Sequence, residues 1–144
     1  MSSNRKIKSF EDLKVWQKAR ELRNSVFVLT KKLPVEEKYR LKDQLIRASR
    51  SVTANIAEGY GRFHYQEYIQ YCRQARGSVY EVLDHLICAE DQGFINSKEM
   101  ENFRKSIEDC IRLLNGFIGY LKDAKRKGTV KETEISYDIA SDSY

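Results

Sequence analysis

The chain has 144 residues, of which one is proline, seven are glycine and 33% are charged, a composition that suits one domain of long helices joined by short turns. No run of eighteen apolar residues occurs and the N-terminal residues lack the apolar core of a signal peptide, so we expect no membrane span and a cytoplasmic location. The net charge of +5 is uneven, because residues 1–62 hold 15 basic and 7 acidic side chains while residues 63–144 hold 11 and 14. This asymmetry favours an anionic partner for one part of the surface.

Four stretches carry apolar residues at steps of three or four, which predicts helices near residues 10–32, 35–60, 65–92 and 98–126. Residues that favour helix ends separate these stretches, namely Ser9 with Asp12, Pro34, Gly59 and Gly61, Gly93, and Ser97. Short connections make sequential helices antiparallel, so the predicted fold class is all-α, an antiparallel up-down-up-down four-helix bundle. The bundle is predicted at 9–127, between a flexible basic arm at 1–8 and an acidic, disordered tail at 128–144.

Several residues of the apolar stripes carry further predictions. Trp16, the only tryptophan, lies on the first stripe, so we interpret it as a core residue rather than a stacking platform. The three cysteines, Cys72, Cys88 and Cys110, lie on apolar helix sides and are predicted to be buried free thiols. Five apolar residues lie beside the main stripes and predict a second buried surface between copies of the chain: Val15, Phe27, Tyr71, Val82 and Phe117.

The second helix carries a polar seam beside its apolar stripe. The seam consists of Gln44, Arg47, Ser51, Asn55, Glu58 and Arg62, and we add Ser78 and Glu81 from the third helix. One interpretation is a structural seam that is hydrogen-bonded against a neighbouring helix, and the other is a ligand or catalytic site. We expect the structural role. A hairpin that folds near Phe63 places residue 63−n opposite residue 63+n, which predicts a buried Arg47–Glu81 ion pair.

The seam also carries a family resemblance. Residues 44–62, QLIRASRSVTANIAEGYGR, resemble the signature of the 23S rRNA intervening-sequence proteins, as do FEDL at 10–13, VWQKA at 15–19 and ARGS at 75–78 with Glu81. The resemblance covers about residues 9–125, with departures at Ala54, where the family often has proline, and at Phe63-His64, where a serine cap is more usual. It implies a four-helix bundle without established enzymatic activity, ring-shaped homopentamers, and association with nucleic acid.

Several kinds of active site are missing from the sequence. A di-iron bundle needs two Glu-x-x-His motifs. The residues three positions before His64 and His85 are Gly61 and Val82, so neither histidine belongs to such a motif. There is no Cys-x-x-Cys pair and no phosphate-binding loop. Glu58 and Glu81 could form a carboxylate pair, but nearby arginines would keep both ionised, which suits ion pairing better than acid–base catalysis. We therefore predict no metal, no cofactor and no enzymatic activity.

The candidate nucleic-acid-binding residues are the cations that lie off the apolar stripes. They are Lys14, Lys18, Arg23, Lys38 and Lys42, with Lys122, Lys125, Arg126 and Lys127 at the end of the fourth helix. No RNP-like aromatic strand or helix-turn-helix pattern is present, so binding without base readout is expected. The leading hypothesis is a non-catalytic, ring-shaped homo-oligomer, a pentamer by resemblance, that associates with RNA or DNA. The alternative is a scaffold or adaptor that docks a protein partner without nucleic acid, and salt dependence discriminates the two.

Overall fold

Four α-helices form the chain in the computed structural model, which describes residues 7–128. They are α1 (Lys14–Thr30), α2 (Leu41–Arg62), α3 (Tyr65–Asp91) and α4 (Ser97–Arg126), with short 3₁₀ helices at Phe10–Asp12 and Val35–Glu37. Between residues 7 and 128 there is no β-strand, so the all-α prediction is confirmed. Within the same range, no helix is long and apolar enough to cross a membrane. Most of the predicted arm, residues 1–6, and the predicted tail from residue 129 lie outside the described residues.

Side-chain contacts show that neighbouring helices run in opposite directions. Lys18 of α1 lies 3.6 Å from Asp109 in α4. Lys32, just beyond the end of α1, bonds Glu99 in the first turn of α4, so the residue farther along the chain meets the earlier residue of α4. The same reversed order links α2 to α3 through Ser51–Ser78 and Glu58–Tyr71, and α3 to α4 through Arg76–Asn115 and Gln66–Lys125. Each helix packs mainly on its neighbours in sequence and α1 closes the cycle against α4, which is the predicted bundle.

The core lies along the centre of this bundle. Trp16 is only 9% exposed and its ring meets Phe10 edge-on at 5.2 Å between centroids, so its predicted core role is confirmed. Val15, Val82 and Phe117 are also buried in the core of the single chain. The prediction that they form a second surface between copies is therefore wrong, because side chains beside the main stripe also reach the wide interior of a four-helix bundle. Of that set, Phe27 stays 44% exposed and Tyr71 is half-buried.

The N-terminal half is less helical than predicted. Ser9 and Asp12 form the predicted capping box, but it caps a 3₁₀ turn, and α1 begins only at Lys14. Between α1 and α2, Pro34 caps a second 3₁₀ turn and α2 starts at Leu41. Proline disfavours helical geometry in the preceding residue, Leu33, and Arg40 at φ −121° and ψ −106° separates the second 3₁₀ turn from α2. Ile7, which the sequence assigned to the arm, is 5% exposed and belongs to the core.

Other helix ends confirm or correct the predicted signals. Gly93 is confirmed as the glycine that follows the end of α3, and its φ is 81°. Its N–H donates to the Glu90 carbonyl, and the N–H of Phe94 donates to the Ala89 carbonyl. Asn96, rather than Ser97, caps α4 through a capping box with Glu99. The predicted end of α2 at Gly59–Gly61 is wrong, because the helix continues to Arg62.

Gly59 has a packing role in place of the predicted terminating role. It is buried in α2, and a Cβ built on it would lie 2.9 Å from Tyr71 Cβ and 3.0 Å from Tyr68 Cδ1. Real Cβ atoms essentially never come this close to another atom. Glycine at this position therefore permits the close approach of α2 and α3.

The three cysteines are free, but they do not share one environment. Cys72 and Cys110 are buried as predicted, and burial raises the pKa of each thiol to about 12. Cys88 is exposed, so the prediction that all three are buried is wrong. Cys88 lies at the edge of the apolar stripe of α3, next to the half-buried Ile87 and the buried Ala89, and its own side chain faces solvent.

Candidate nucleic-acid interface and polar seam

The polar seam starts with two exposed residues, Gln44 and Arg47. The Arg47 side chain is 79% exposed and its Nε lies 3.0 Å from Asp43 of the preceding turn. Glu81 is 58% exposed and lies 3.4 Å from His85 Nε2, one turn farther along α3. The predicted buried Arg47–Glu81 pair is therefore wrong. Arg47 pairs within its own helix and Glu81 stays in solvent, which avoids the desolvation that a buried pair would require.

The middle of the seam joins α2 to α3 through small hydroxyl groups. Ser78, which is buried, donates its hydroxyl to Ser51 at 2.9 Å. Asn55 donates its side-chain amide to the Ser51 carbonyl at 2.9 Å and to its hydroxyl at 3.0 Å. The predicted register placed Ser51 opposite Ala75, so the observed pairing is displaced by about one helical turn. The reason is that α2 runs beyond Gly59–Gly61 and the hairpin folds after Phe63, which takes a left-handed φ of 59°.

The end of the seam is a cluster of one acid, one arginine and one phenol. Arg62 Nη2 donates to Glu58 at 3.0 Å and to the Tyr71 hydroxyl at 2.8 Å, and its guanidinium lies 5.3 Å from the Tyr71 ring centroid. The hydrogen bond to Glu58 raises the pKa of Arg62. Glu58 thus meets Tyr71, and Glu81 lies ten residues farther along α3, or about 15 Å. The carboxylate pair that the sequence suggested is not assembled.

The structure separates the predicted nucleic-acid-binding cations into several places. On α1, Lys14 is exposed, while Lys18 is engaged with Glu21 and Asp109. Arg23 is half-buried and donates to the Thr53 hydroxyl at 3.2 Å, in a groove of about 400 Å³ between α1 and α2 that Arg50 also lines. Lys38 and Lys42 lie near the start of α2, where Lys38 sits 5.2 Å from the ring of the exposed Tyr39.

The cations of α4, by contrast, share one groove with α3. This groove, hereafter the basic groove, has a volume of about 320 Å³ and is lined by Gln66, Ile69, Arg73, Lys122, Lys125 and Arg126. Lys125 Nζ bonds the Gln66 side chain and Arg126 bonds Asp123 at 3.0 Å. Lys127 is exposed just beyond the end of α4.

A helix terminus adds to the positive potential of the basic groove. Gln66 lies in the first turn of α3, and His64, at the cap position of that helix, makes no side-chain capping bond. The N-terminus of a helix carries partial positive charge on its backbone N–H groups. The groove cations and the backbone dipole therefore have the same sign at this end of the groove, although Glu67 in the first turn of α3 offsets part of that charge. The arrangement is suited to holding a chain of anionic groups.

Arg73 is the groove residue that sequence reasoning missed. It lies seven residues after Gln66 and four after Ile69, so the three side chains share one side of α3. A hairpin that reverses near residue 95 places this side opposite Lys122 and Lys125. This pairing of α3 with α4 follows from the helix spacing in the sequence, whereas charge along the chain identifies only the cations of α4.

The described part of the chain holds no group of three or more His, Cys, Asp or Glu side chains that could bind a metal ion. Its helices, polar seam and basic groove define a small antiparallel four-helix protein with a cationic surface. The sequence model of the family described as 23S rRNA-intervening sequence protein matches residues 11–116, and the chain belongs to this family. The match includes the whole polar seam. A comparison with curated proteins found no significant match.

Proposed function

We propose that this protein is a non-catalytic RNA-associating protein that holds the phosphate backbone in its basic groove. The observation that supports the proposal most directly is the set of four cations, Arg73, Lys122, Lys125 and Arg126, along one groove beside a helix N-terminus. The description of the family refers to 23S rRNA, which favours RNA as the polyanion. Cations that track a backbone supply affinity but no sequence readout, so binding is weakly selective for sequence.

The test is the salt dependence of binding of a fluorescently labelled RNA. If one subunit neutralises about three phosphates, the slope of log affinity against log salt is about −2 for a single strand and about −3 for a duplex. Reversing Lys122 and Lys125 to glutamate removes two of the four groove cations. We expect this variant to reduce the magnitude of the slope by about one to two units and the affinity at least tenfold.

The matched control changes the same charge on the same helix outside the groove. Lys98 and Lys105 lie in the first half of α4 and are exposed, so the pair Lys98→Glu and Lys105→Glu is expected to leave the slope nearly unchanged. Equal losses in the two double variants would mean that net charge alone attracts RNA. No RNA retention by the wild-type chain at 50 mM salt would refute the proposal.

We further propose a ring-shaped homo-oligomer, as the family resemblance implies. Exposed apolar side chains that assembly would cover include Phe27 at 44% and Val28 at 63% exposure, on consecutive positions of α1. A ring repeats the basic groove in every subunit, so weak contacts gain through effective concentration. Light scattering is expected to return a multiple of 16.9 kDa, and a monomer at micromolar concentration contradicts this part of the proposal.

A protein-docking adaptor is the second candidate, and an apolar groove favours it. This groove, about 510 Å³, lies between α3 and α4 farther from the α4 end and is lined mainly by Tyr80, Leu83, Ile107 and Ile111, with Glu108, Arg112 and Asn115 at its edges. Tyr80 is 54% exposed. Binding through such a surface changes little with salt, whereas phosphate binding weakens steeply. The same titration therefore separates the two candidates.

A further inference from the structure

The segment that follows α4 has the charge opposite to that of the basic groove. Residues 129–144 hold four acidic side chains, Glu132, Glu134, Asp138 and Asp142, and one basic residue, Lys131. The groove offers the opposite charge, because Arg73, Lys122, Lys125 and Arg126 line it, while its one apolar residue, Ile69, is 4% exposed and belongs to the core.

The last turn of α4 lines the groove, so residues 129–144 begin within three residues of a groove residue. Arg126 is the last residue of α4 and lines the groove, and Lys127 and Gly128 follow it. Gly128 has a φ of 70° and its N–H bonds the Lys125 carbonyl at 3.2 Å, so the chain leaves the helix axis at this glycine. Sixteen residues in extended form span about 50 Å. The groove cations of α4 lie within about 6 Å of axial rise from Arg126, so reach does not limit docking.

We propose that residues 129–144 dock in the basic groove of their own chain and compete there with RNA. The acidic side chains pair with Arg73, Lys122 and Lys125. Because the segment is tethered, its effective concentration at the groove is on the order of millimolar, which favours several ion pairs that are individually weak. The competition with RNA rests on the proposed function, whereas docking itself does not.

The first experiment measures groove occupancy without RNA. In the full chain, the rate of acetylation of each lysine is followed by mass spectrometry for the wild type and for a variant with Glu132→Gln, Glu134→Gln, Asp138→Asn and Asp142→Asn. We expect Lys122 and Lys125 to react about three- to tenfold faster in the variant, because the tethered acids no longer cover them. Lys98 and Lys105 are internal controls whose rates stay unchanged. Circular dichroism verifies that the helices are intact.

A second variant changes the charge in the other direction. Lys131→Glu makes the segment more acidic and is expected to slow the acetylation of Lys122 and Lys125 further. Equal rates at these two lysines in the wild type and both variants would overturn the proposal. Protection that disappears on dilution from 50 to 1 µM would overturn docking within the same chain, because a tethered contact does not depend on concentration.

RNA titration then separates the two proposals. The charge-neutralised variant is expected to bind RNA about three- to tenfold more tightly than the wild type at low salt, since its groove is open. If acetylation shows protection but neither protein binds RNA, docking stands and the proposed function fails. If both proteins bind RNA equally and the lysines show no protection, the proposed function stands and docking is refuted.

Discussion

Replacement of Gly59 by alanine tests whether a single close contact sets the distance between α2 and α3. In an ordinary helix interior, this change stabilises by about 1 kcal/mol, because glycine costs more backbone entropy. Here the new methyl group would lie 2.9 Å from Tyr71 Cβ, an atom fixed next to the α3 backbone. Relieving the overlap requires the two helices to separate, and overpacking of this kind costs about 1–3 kcal/mol.

Gly61 provides a matched control two residues farther along the same helix. A Cβ at Gly61 meets nothing within 4 Å, so Gly61→Ala gains helix propensity without a clash. We expect Gly59→Ala to be less stable than Gly61→Ala by about 1–3 kcal/mol, because both variants share the propensity gain.

The measurement is urea unfolding followed by circular dichroism at one fixed protein concentration. With a slope of about 2 kcal/mol per molar urea, a difference of 2 kcal/mol separates the two midpoints by about 1 M. Equal midpoints for the two variants would falsify the assignment of Gly59 as a contact glycine, because the methyl group would then be accommodated without cost.

Three further predictions concern the seam and the thiols. Asn55→Leu is expected to lose about 1 kcal/mol in urea titration, because the Ser51 carbonyl and hydroxyl lose the Asn55 amide as a donor. Arg47→Ala is expected to change stability by less than about 0.5 kcal/mol, and the reverse order of the two losses would contradict this account of the seam. In the native protein, a thiol reagent is expected to modify the exposed Cys88 at once, and the buried Cys72 and Cys110 only as the bundle unfolds. Mass spectrometry after brief labelling checks this, and a second modified site would contradict it. Burial raises the pKa of Cys72 and Cys110 to about 12, so their contribution to the free energy of unfolding is complete below about pH 9. It declines as pH rises toward 12, because the thiols ionise first in the unfolded chain. Thermal melts whose midpoint does not change over this window would refute the prediction.

The sequence determined the fold class because each helix carries its own apolar period. Leu45, Val52 and Ile56 lie on one side of α2 whatever its partner, and all three are fully buried in the structure. Local signals that act within a few residues were equally readable, as in the Ser9–Asp12 capping box and the left-handed Gly93. The family signature also lies within one helix, so that residues 44–62 carried the family resemblance without tertiary information.

The sequence could not fix relations between helices, since these depend on a few residues at each turn. Extending α2 through Gly59 and Gly61 to Arg62 displaced its pairing with α3 by about one turn. This displacement put Ser51 against Ser78, and Arg47 lies in solvent beside Asp43 of its own helix. The candidate interface shows the same limit. Charge counts identified Lys122, Lys125 and Arg126, but only the packing of α3 on α4 placed Arg73 in the same groove, and only the contacts of Lys18 and Arg23 showed that these cations already have partners.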